Sequence, residues 1–143
     1  MAVAGHDMSA YDDAGTPRPV VVVIEDEAIV LAGYQMLFES WGYHVIAAQE
    51  VEEALAVLEE EAVPPGFIVA DFRLRGGQTG TDAIQRLRDA FGQAIPGVVV
   101  TGDTTVTVEG LRAAQAAGMP ILHKPVNGRQ LQDILARSFA TGL

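Results

Sequence analysis

Residues 67–74 have the sequence Phe67-Ile68-Val69-Ala70-Asp71-Phe72-Arg73-Leu74, in which a short apolar run ends in a single carboxylate. Glycines follow closely at positions 76, 77 and 80. An apolar run of this length, bounded by a turn signal, is typical of a buried strand. Open parallel α/β sheets bind ligands at the carboxyl ends of their strands. The stretch therefore predicts a strand that carries Asp71 to a sheet edge where a functional site can form.

Short apolar runs followed by helical patterns recur on both sides of this stretch. Strands are predicted at residues 20–24, 43–47, 67–70, 98–100 and 121–123. Apolar residues at helical spacing follow each strand, at residues 30–41, 51–58, 84–91, 108–111 and 131–135. The predicted stripe of the first helix is Val30, Tyr34, Leu37 and Trp41, and the third helix is predicted to start at Thr81-Asp82. Strands that alternate with helices form a parallel sheet covered on both faces. We predict an α/β fold, a (βα)5 flavodoxin-like doubly wound sheet with strand order 2-1-3-4-5.

Length and composition narrow the possible function classes. A chain of 143 residues is expected to form one domain with a real core. Its net charge of −10 argues against a nucleic-acid-binding surface, which needs a basic patch. The chain has no cysteine, so disulfides and thiolate–metal sites are excluded and any metal needs oxygen or imidazole ligands.

Nothing in the sequence predicts contact with a membrane. The longest apolar run, Val20–Ile24, is far too short to span a bilayer. The first residues lack the pattern of a signal peptide, so a cytoplasmic location is expected. Residues 1–19 are polar and contain two prolines, which predicts a flexible N-terminal tail or linker before a domain at residues 20–140.

Five polar residues follow the predicted strands and should meet at one edge of the sheet. Glu25 and Asp26 follow the first strand, Asp71 the third, Thr101 the fourth and Lys124 the fifth. Three carboxylates held together repel one another, and Mg²⁺ is a natural partner because it accepts carboxylate and phosphate oxygens. A lysine and a hydroxyl can meet phosphoryl oxygens, and an aspartate can act as a nucleophile that forms an acyl phosphate.

With these residues in order, the chain resembles the receiver domains of two-component phosphorelay systems from about Val20 to Phe139. That family has an acidic pair after strand one, a phosphoacceptor aspartate after strand three, a threonine or serine after strand four and Lys-Pro after strand five. The corresponding residues here are Glu25-Asp26, Asp71, Thr101 and Lys124-Pro125. Together, these four matches on a (βα)5 pattern are far more specific than any one of them.

The resemblance implies that Asp71 takes a phosphoryl group from a phosphohistidine on a sensor histidine kinase or histidine phosphotransfer domain. Carboxylates of Asp26 and Asp71 would bind Mg²⁺ or Mn²⁺, with the backbone carbonyl of Arg73 as a further ligand. Glu25 would act mostly through a bound water, and Thr101 and Lys124 would contact the phosphoryl oxygens. The resemblance also implies a cis peptide bond between Lys124 and Pro125.

Two positions depart from the family pattern. Glu25 stands where aspartate is commoner, which would alter the geometry of metal binding. Ile121 stands three residues before Lys124, where the family often has an aromatic residue coupled to the threonine. We further hypothesise that Arg73 and Asp103, each two residues after a site residue, face each other and tune the lifetime of the phosphoryl group.

The sequence leaves several contexts open. Residues 117–126 resemble receivers at the C-terminal end of hybrid sensor histidine kinases, which is the favoured context. Alternatives are a stand-alone single-domain response regulator, a degenerate receiver acting as a binding module, and an aspartate-nucleophile phosphatase. The phosphatase would need an acid where Arg73 stands. The chain is not expected to be a turnover enzyme by itself. Its output would pass to a protein partner. A weak homodimer is a further alternative.

Simpler structural roles compete with these functional ones. Asp26 precedes a helix and so has the alternative role of a helix cap. The alternative role of Thr101 is that of an ordinary hydroxyl at the end of a strand. Tyr34 and Trp41 fall on the core stripe of the first helix and are predicted to pack in the core. His123 is expected to point away from the site, and the Gly76–Gly80 segment is predicted to be a flexible loop beside it.

Overall fold

The computed structural model describes residues 10–102, 112 and 118–141. Five strands form one parallel sheet in the order β2-β1-β3-β4-β5, as predicted. Their bounds are β1 Val20–Ile24, β2 His44–Ala48, β3 Phe67–Asp71, β4 Gly97–Thr101 and β5 Ile121–His123. The sequence order reverses on the two sides of β1, so the switch point of the sheet lies between β1 and β3.

Within the described part of the chain, four α-helices connect or follow these strands: α1 Ala28–Ser40, α2 Val51–Glu61, α3 Gly80–Phe91 and a final helix Gly128–Thr141. The helix that the sequence predicts at residues 108–111 lies outside the described residues.

Helix α3 begins before the predicted Thr81-Asp82, because Thr79 caps it. The Thr79 side chain accepts a hydrogen bond from the Asp82 amide at 3.1 Å, and the Asp82 carboxylate accepts one from the Thr79 amide at 3.2 Å. Helix α3 ends at Gly92, which has a left-handed backbone conformation.

Two apolar layers hold the helices on the sheet. On one face, alternate residues of β1 and β3 pack against α2 and α3, with Leu58, Ile84 and Leu87 fully buried. On the other face, Val21 and Val23 pack against α1 and the final helix. Because successive strand residues point to opposite faces, the continuous β-branched run at residues 20–24 serves both layers. Among the helices of the described residues, none is both long and apolar enough to cross a membrane.

The buried stripe of α1 differs by one residue from the predicted one. The fully buried residue is Phe38, whereas Leu37 is 37% exposed. Tyr34 and Trp41 pack on the Phe38 ring with centroid distances of 5.7 and 5.5 Å, which confirms their predicted packing role. Because an α-helix advances 3.6 residues per turn, a stripe through residues 34 and 41 passes through residue 38 as well as residue 37.

Residues 11–17 form a small antiparallel hairpin before β1. Tyr11 pairs with Pro17, and the Asp12 carboxylate accepts hydrogen bonds from the amides of Ala14 and Thr16, both at 2.9 Å. The Arg18 side chain donates to the Gly42 carbonyl at 3.4 Å, which ties this segment to the turn before β2. The first nine residues of the predicted tail lie outside the described part of the chain.

Candidate functional site

The predicted site residues meet at the carboxyl edge of the sheet. Glu25 and Asp26 follow β1, Asp71 and Thr101 are the last residues of β3 and β4, and Lys124 directly follows β5. A cleft of about 500 Å³ opens there, lined by Asp26, Glu27, Asp71, Arg73, Thr101, Gly102 and Lys124. Parallel strands bring residues together that are up to 99 positions apart, so this arrangement depends on the sheet order.

Three carboxylates form a compact group in this cleft. One oxygen each from Glu25, Asp26 and Asp71 can be chosen so that all lie within 4.8 Å of one another. Glu25 is 1% exposed, and the Asp71 side chain is 13% exposed. Acidic groups held this closely and this far from solvent repel one another strongly, so the arrangement needs a compensating positive charge.

Lys124 supplies one such charge. Its Nζ lies 3.0 Å from Asp71 Oδ1 and 3.3 Å from Glu25 Oε1, so the ammonium bridges two of the three acids. The Lys124 side chain is 30% exposed, which leaves the ammonium accessible from the cleft. The Lys124 amide donates to the Thr101 carbonyl at 2.7 Å, and the Lys124–Pro125 peptide bond is cis, as the resemblance implied.

Burial and mutual charge set the titration of these groups. Burial raises the pKa of Asp71; the hydrogen bond and charge of Lys124 oppose this rise, and the charges of Asp26 and Glu27 add to it. Burial also raises the pKa of Glu25. Burial lowers the pKa of Lys124, but its contacts with Asp71 and Glu25 outweigh this effect and leave the pKa raised. Asp71 and Glu25 therefore hold protons more tightly than exposed carboxyls do.

Backbone contacts fix the acidic residues in place. The Glu27 amide donates to Glu25 Oε2 at 3.1 Å, and the Gln49 side chain donates to the Asp26 carbonyl at 2.9 Å. The N-cap position of α1 is Glu27, whose side chain makes no capping hydrogen bond. Asp26 therefore precedes the N-cap position of α1 and does not occupy it.

Hydrogen bonds connect the two ends of the glycine-containing loop after β3, and its flexibility stays a prediction. The Leu74 amide donates to the Gln78 carbonyl at 2.9 Å, and Arg73 pairs with Thr79 in an antiparallel bridge. Gly80 lies against the backbone of Asp71: a Cβ built on Gly80 would be 2.5 Å from the Asp71 carbonyl oxygen. Glycine is therefore required at this position for the loop to close over the end of β3.

The structure places the remaining predicted residues in different ways. Thr101 is buried at the floor of the cleft, and Arg73 is exposed at its rim. Ile121 pairs with Val99 and packs against the apolar layer beside α2 and α3, one strand length from the site. His123 is exposed. Asp103 lies outside the described residues, so its hypothesised position opposite Arg73 stays a prediction.

Two residues that contribute to the site carried no decisive signal in the sequence. Glu27 lines the cleft, and its charge raises the pKa of Asp71. Gln49 supports Asp26 from the loop after β2, 23 positions away. The acidic run Glu25-Asp26-Glu27 could have suggested a third acid, whereas the role of Gln49 depends on the pairing of β1 with β2 and could not be read from spacing.

Residues 21–136 match the response regulator receiver domain family. The chain belongs to this family. Among curated proteins, the receiver is 30% identical over 98 residues to the phyllosphere-induced regulator PhyR of Methylorubrum extorquens, covering 68% of this chain and 34% of PhyR. It is 27% identical over 122 residues to the transcriptional regulatory protein ZraR of Salmonella typhimurium, covering 84% of this chain and 26% of ZraR. The receiver thus spans about a third or less of these relatives.

Solved structures confirm the fold. A CheY-like response regulator receiver domain protein from Methanospirillum hungatei superimposes with a TM-score of 0.71 at 22% identity, covering 84% of this chain and 92% of that one. The Vibrio cholerae chemotaxis protein CheY4 gives the same TM-score and identity, with coverage of 85% and 98%. The flavodoxin-like sheet predicted from the sequence is therefore the fold of this receiver.

Proposed function

We propose that this receiver is a phosphoacceptor switch in which Asp71 takes a phosphoryl group from a phosphohistidine of a partner protein. The observation that carries the proposal is the Lys124 ammonium at 3.0 Å from Asp71 Oδ1, inside a cleft that also holds Glu25 and Asp26. This arrangement provides a nucleophilic carboxylate, a mobile positive charge and oxygen ligands at one point of the sheet edge.

In the proposed step, an Asp71 carboxylate oxygen attacks the phosphorus atom of the phosphohistidine. A P–O bond forms as the P–N bond breaks, and the imidazole leaves with the bonding electron pair. Burial makes the Asp71 carboxylate more basic than an exposed one, which favours its role as the attacking group. Lys124 then moves from the Asp71 carboxylate to a phosphoryl oxygen, and Thr101 donates its hydroxyl to another.

The donor set fits a divalent cation such as Mg²⁺ or Mn²⁺. The ligand candidates Glu25, Asp26 and Asp71 all offer carboxylate oxygens, which Mg²⁺ prefers. The backbone carbonyl of Arg73, at the rim of the cleft, is proposed as a further ligand. A bound divalent cation would supply positive charge for the phosphoryl oxygens. Glu25, nearly fully buried and held by Lys124 and the Glu27 amide, would orient a water ligand.

Incubation with Mg²⁺ and acetyl phosphate, followed by intact mass measurement, tests this proposal. We expect one added phosphoryl group on the wild-type chain and none on Asp71→Asn. Asp133→Asn, at an exposed position of the final helix, is the matched control and should be modified like the wild type. No adduct on the wild type would favour a binding module without phosphoryl transfer. Steady hydrolysis of unrelated phosphate esters would favour the phosphatase.

The partners and the context of the receiver are also proposals. A sensor histidine kinase or a histidine phosphotransfer domain would donate the phosphoryl group, and a protein partner would read the change. PhyR and ZraR are named as regulators, while the hybrid-kinase context predicted from residues 117–126 stays a prediction. A cytoplasmic location is consistent with this chemistry, because phosphohistidine donors draw on ATP.

A further inference from the structure

Helix α1 is apolar on both of its faces. Its inner face, formed by Leu31, Tyr34, Phe38 and Trp41, packs against the sheet. On its outer face, Ile29 is 88% and Met36 is 72% exposed. Of the four large apolar side chains that are exposed among the described residues, three belong to this helix. Exposed apolar patches commonly mark interaction sites, so the outer face of α1 is expected to meet a partner.

The outer face has a symmetric pattern of side-chain sizes. Ile29, Ala32, Gly33 and Met36 lie at spacings of three, one and three, which places them on one face of the helix in the order large, small, small, large. The order of side-chain sizes reads the same in both directions from the midpoint between Ala32 and Gly33. When two such helices cross antiparallel about a two-fold axis at that midpoint, Ile29 of each copy meets Met36 of the other, and the small residues meet at the crossing.

Among the described residues, nothing in a single chain requires glycine at position 33. A Cβ built on Gly33 meets none of their atoms within 4 Å, and its backbone lies in the ordinary helical region. Glycine in the middle of a helix is unfavourable relative to alanine. A close approach of a second helix at the crossing point gives a reason for a small residue there.

The charge distribution favours a second copy over a charged partner. Residues 28–40 contain one charged side chain, Glu39, in a chain whose net charge is −10. The outer face of α2, in contrast, exposes Glu52, Glu53, Glu59 and Glu60. In a two-fold contact each patch meets an identical patch, so self-association of an acidic chain is favoured where its surface has few charges of one sign.

We propose that the outer face of α1 is a self-association surface on which a second copy of this chain lies antiparallel, with Ile29 of one copy against Met36 of the other. The contact is independent of the proposed phosphoryl chemistry. From residue 29 to residue 36 the helix advances about 10 Å, so the contact is smaller than the roughly 800 Å² per partner of a standard interface. We therefore expect a weak dimer, with a dissociation constant on the order of 100 μM.

Sedimentation equilibrium of the whole chain from about 10 μM to about 1 mM measures this association. We expect the average mass of the wild type to rise from 15.1 kDa towards twice that value with concentration. Met36→Lys should weaken the dimer at least about tenfold, because it places two like charges in an apolar contact. Ala56→Lys, at an exposed position of α2, is the matched control and should behave like the wild type. Circular dichroism of each variant confirms that it is folded.

Cysteine cross-linking tests the antiparallel arrangement, and the absence of native cysteine gives a clean background. Ile29→Cys and Met36→Cys proteins are mixed in equal amounts and oxidised with copper phenanthroline. We expect the mixed disulfide to exceed clearly the half share that random pairing gives. Ala56→Cys, treated in the same way, should cross-link much less.

Three results would overturn the proposal. The first is a wild-type chain that stays monomeric at about 1 mM, as expected when another segment or a different protein covers α1. The second is a dimer that Met36→Lys leaves unchanged, which places the contact on another face. The third is a mixture in which disulfides between identical variants predominate, which is the outcome of a parallel contact.

Discussion

At the scale of single residues, Lys124 holds the acidic cleft together. Its ammonium contacts Asp71 and Glu25, and Glu25 is almost completely buried. The sequence predicted Lys124 as a site residue from its place after β5, which the structure confirms as a position at the cleft. The bridge to Glu25 was not predicted, because it depends on the exact side-by-side placement of strands 99 positions apart.

We predict that Lys124→Ala destabilises the metal-free chain by about 1–3 kcal/mol, because it leaves a buried carboxylate without its charged partner. Urea unfolding followed by circular dichroism measures the change. Arg129→Ala, at an exposed position of the final helix, is the control and should change the free energy of unfolding by no more than about 0.5 kcal/mol. Equal losses in both variants would mean that the bridge contributes nothing to stability.

Gly80 is a second residue whose role follows from close packing, here against the backbone of Asp71. We predict that Gly80→Ala costs about 1–3 kcal/mol, because the new Cβ would collide with the Asp71 carbonyl oxygen, a backbone atom that cannot move aside easily. Gly128→Ala is the matched control: a Cβ there meets nothing within 4 Å, so the variant should be neutral or slightly more stable. Thermal unfolding of both variants gives the comparison, and an unaffected Gly80→Ala would contradict the observed packing.

At the scale of secondary structure elements, the sequence predicted type and order well and boundaries less well. β1 and β5 have the predicted bounds, since the β-branched run of β1 ends before Glu25 and β5 ends before Lys124-Pro125. The start of α3 was placed late, because Thr79 precedes the apolar stripe and only its reciprocal contact with Asp82 identifies it as the cap. Between elements, the contact of His44 with Glu61 at 2.6 Å joins the start of β2 to the end of α2 and gave no sequence signal.

The capping box of α3 yields a prediction of its own. Thr79→Ala should destabilise the chain by about 1 kcal/mol, because the Asp82 amide loses its hydrogen-bond partner. Asp82→Ala breaks the reciprocal bond to the Thr79 amide. The two losses should be less than additive in the double variant, since each single change already disrupts the same box. Strict additivity in chemical unfolding would indicate that the two bonds act independently.

At the scale of the whole molecule, the carboxyl ends of β1, β3, β4 and β5 bring the candidate site residues to one edge of the sheet. The fold class and the strand order were predictable, because alternating apolar runs and helical patterns allow few topologies. The site residues were predictable because a parallel sheet gathers its strand ends. The supporting contacts of Gln49 and the close packing of Gly80 were not, because they depend on distances that spacing alone does not fix.

Metal binding is the prediction that involves the assembled cleft. We expect Mg²⁺ at about ten times its dissociation constant to stabilise the chain by about 1.4 kcal/mol, which raises the melting temperature by roughly 4 °C. Asp26→Asn should abolish this shift, whereas the exposed Asp133→Asn should retain it. The Mg²⁺-free reference contains NaCl at the same ionic strength as the Mg²⁺ sample. Equal melting temperatures in these two samples would show screening of the acidic chain rather than a metal site.

The proposed phosphoacceptor function depends most on Asp71 as the acceptor. After reaction with acetyl phosphate and Mg²⁺, borohydride reduction converts an aspartyl phosphate to homoserine, and tandem mass spectrometry of the peptide containing residues 67–74 locates the change. We expect homoserine at position 71. Modification at Glu25, Asp26 or another acid, with position 71 unchanged, would contradict it.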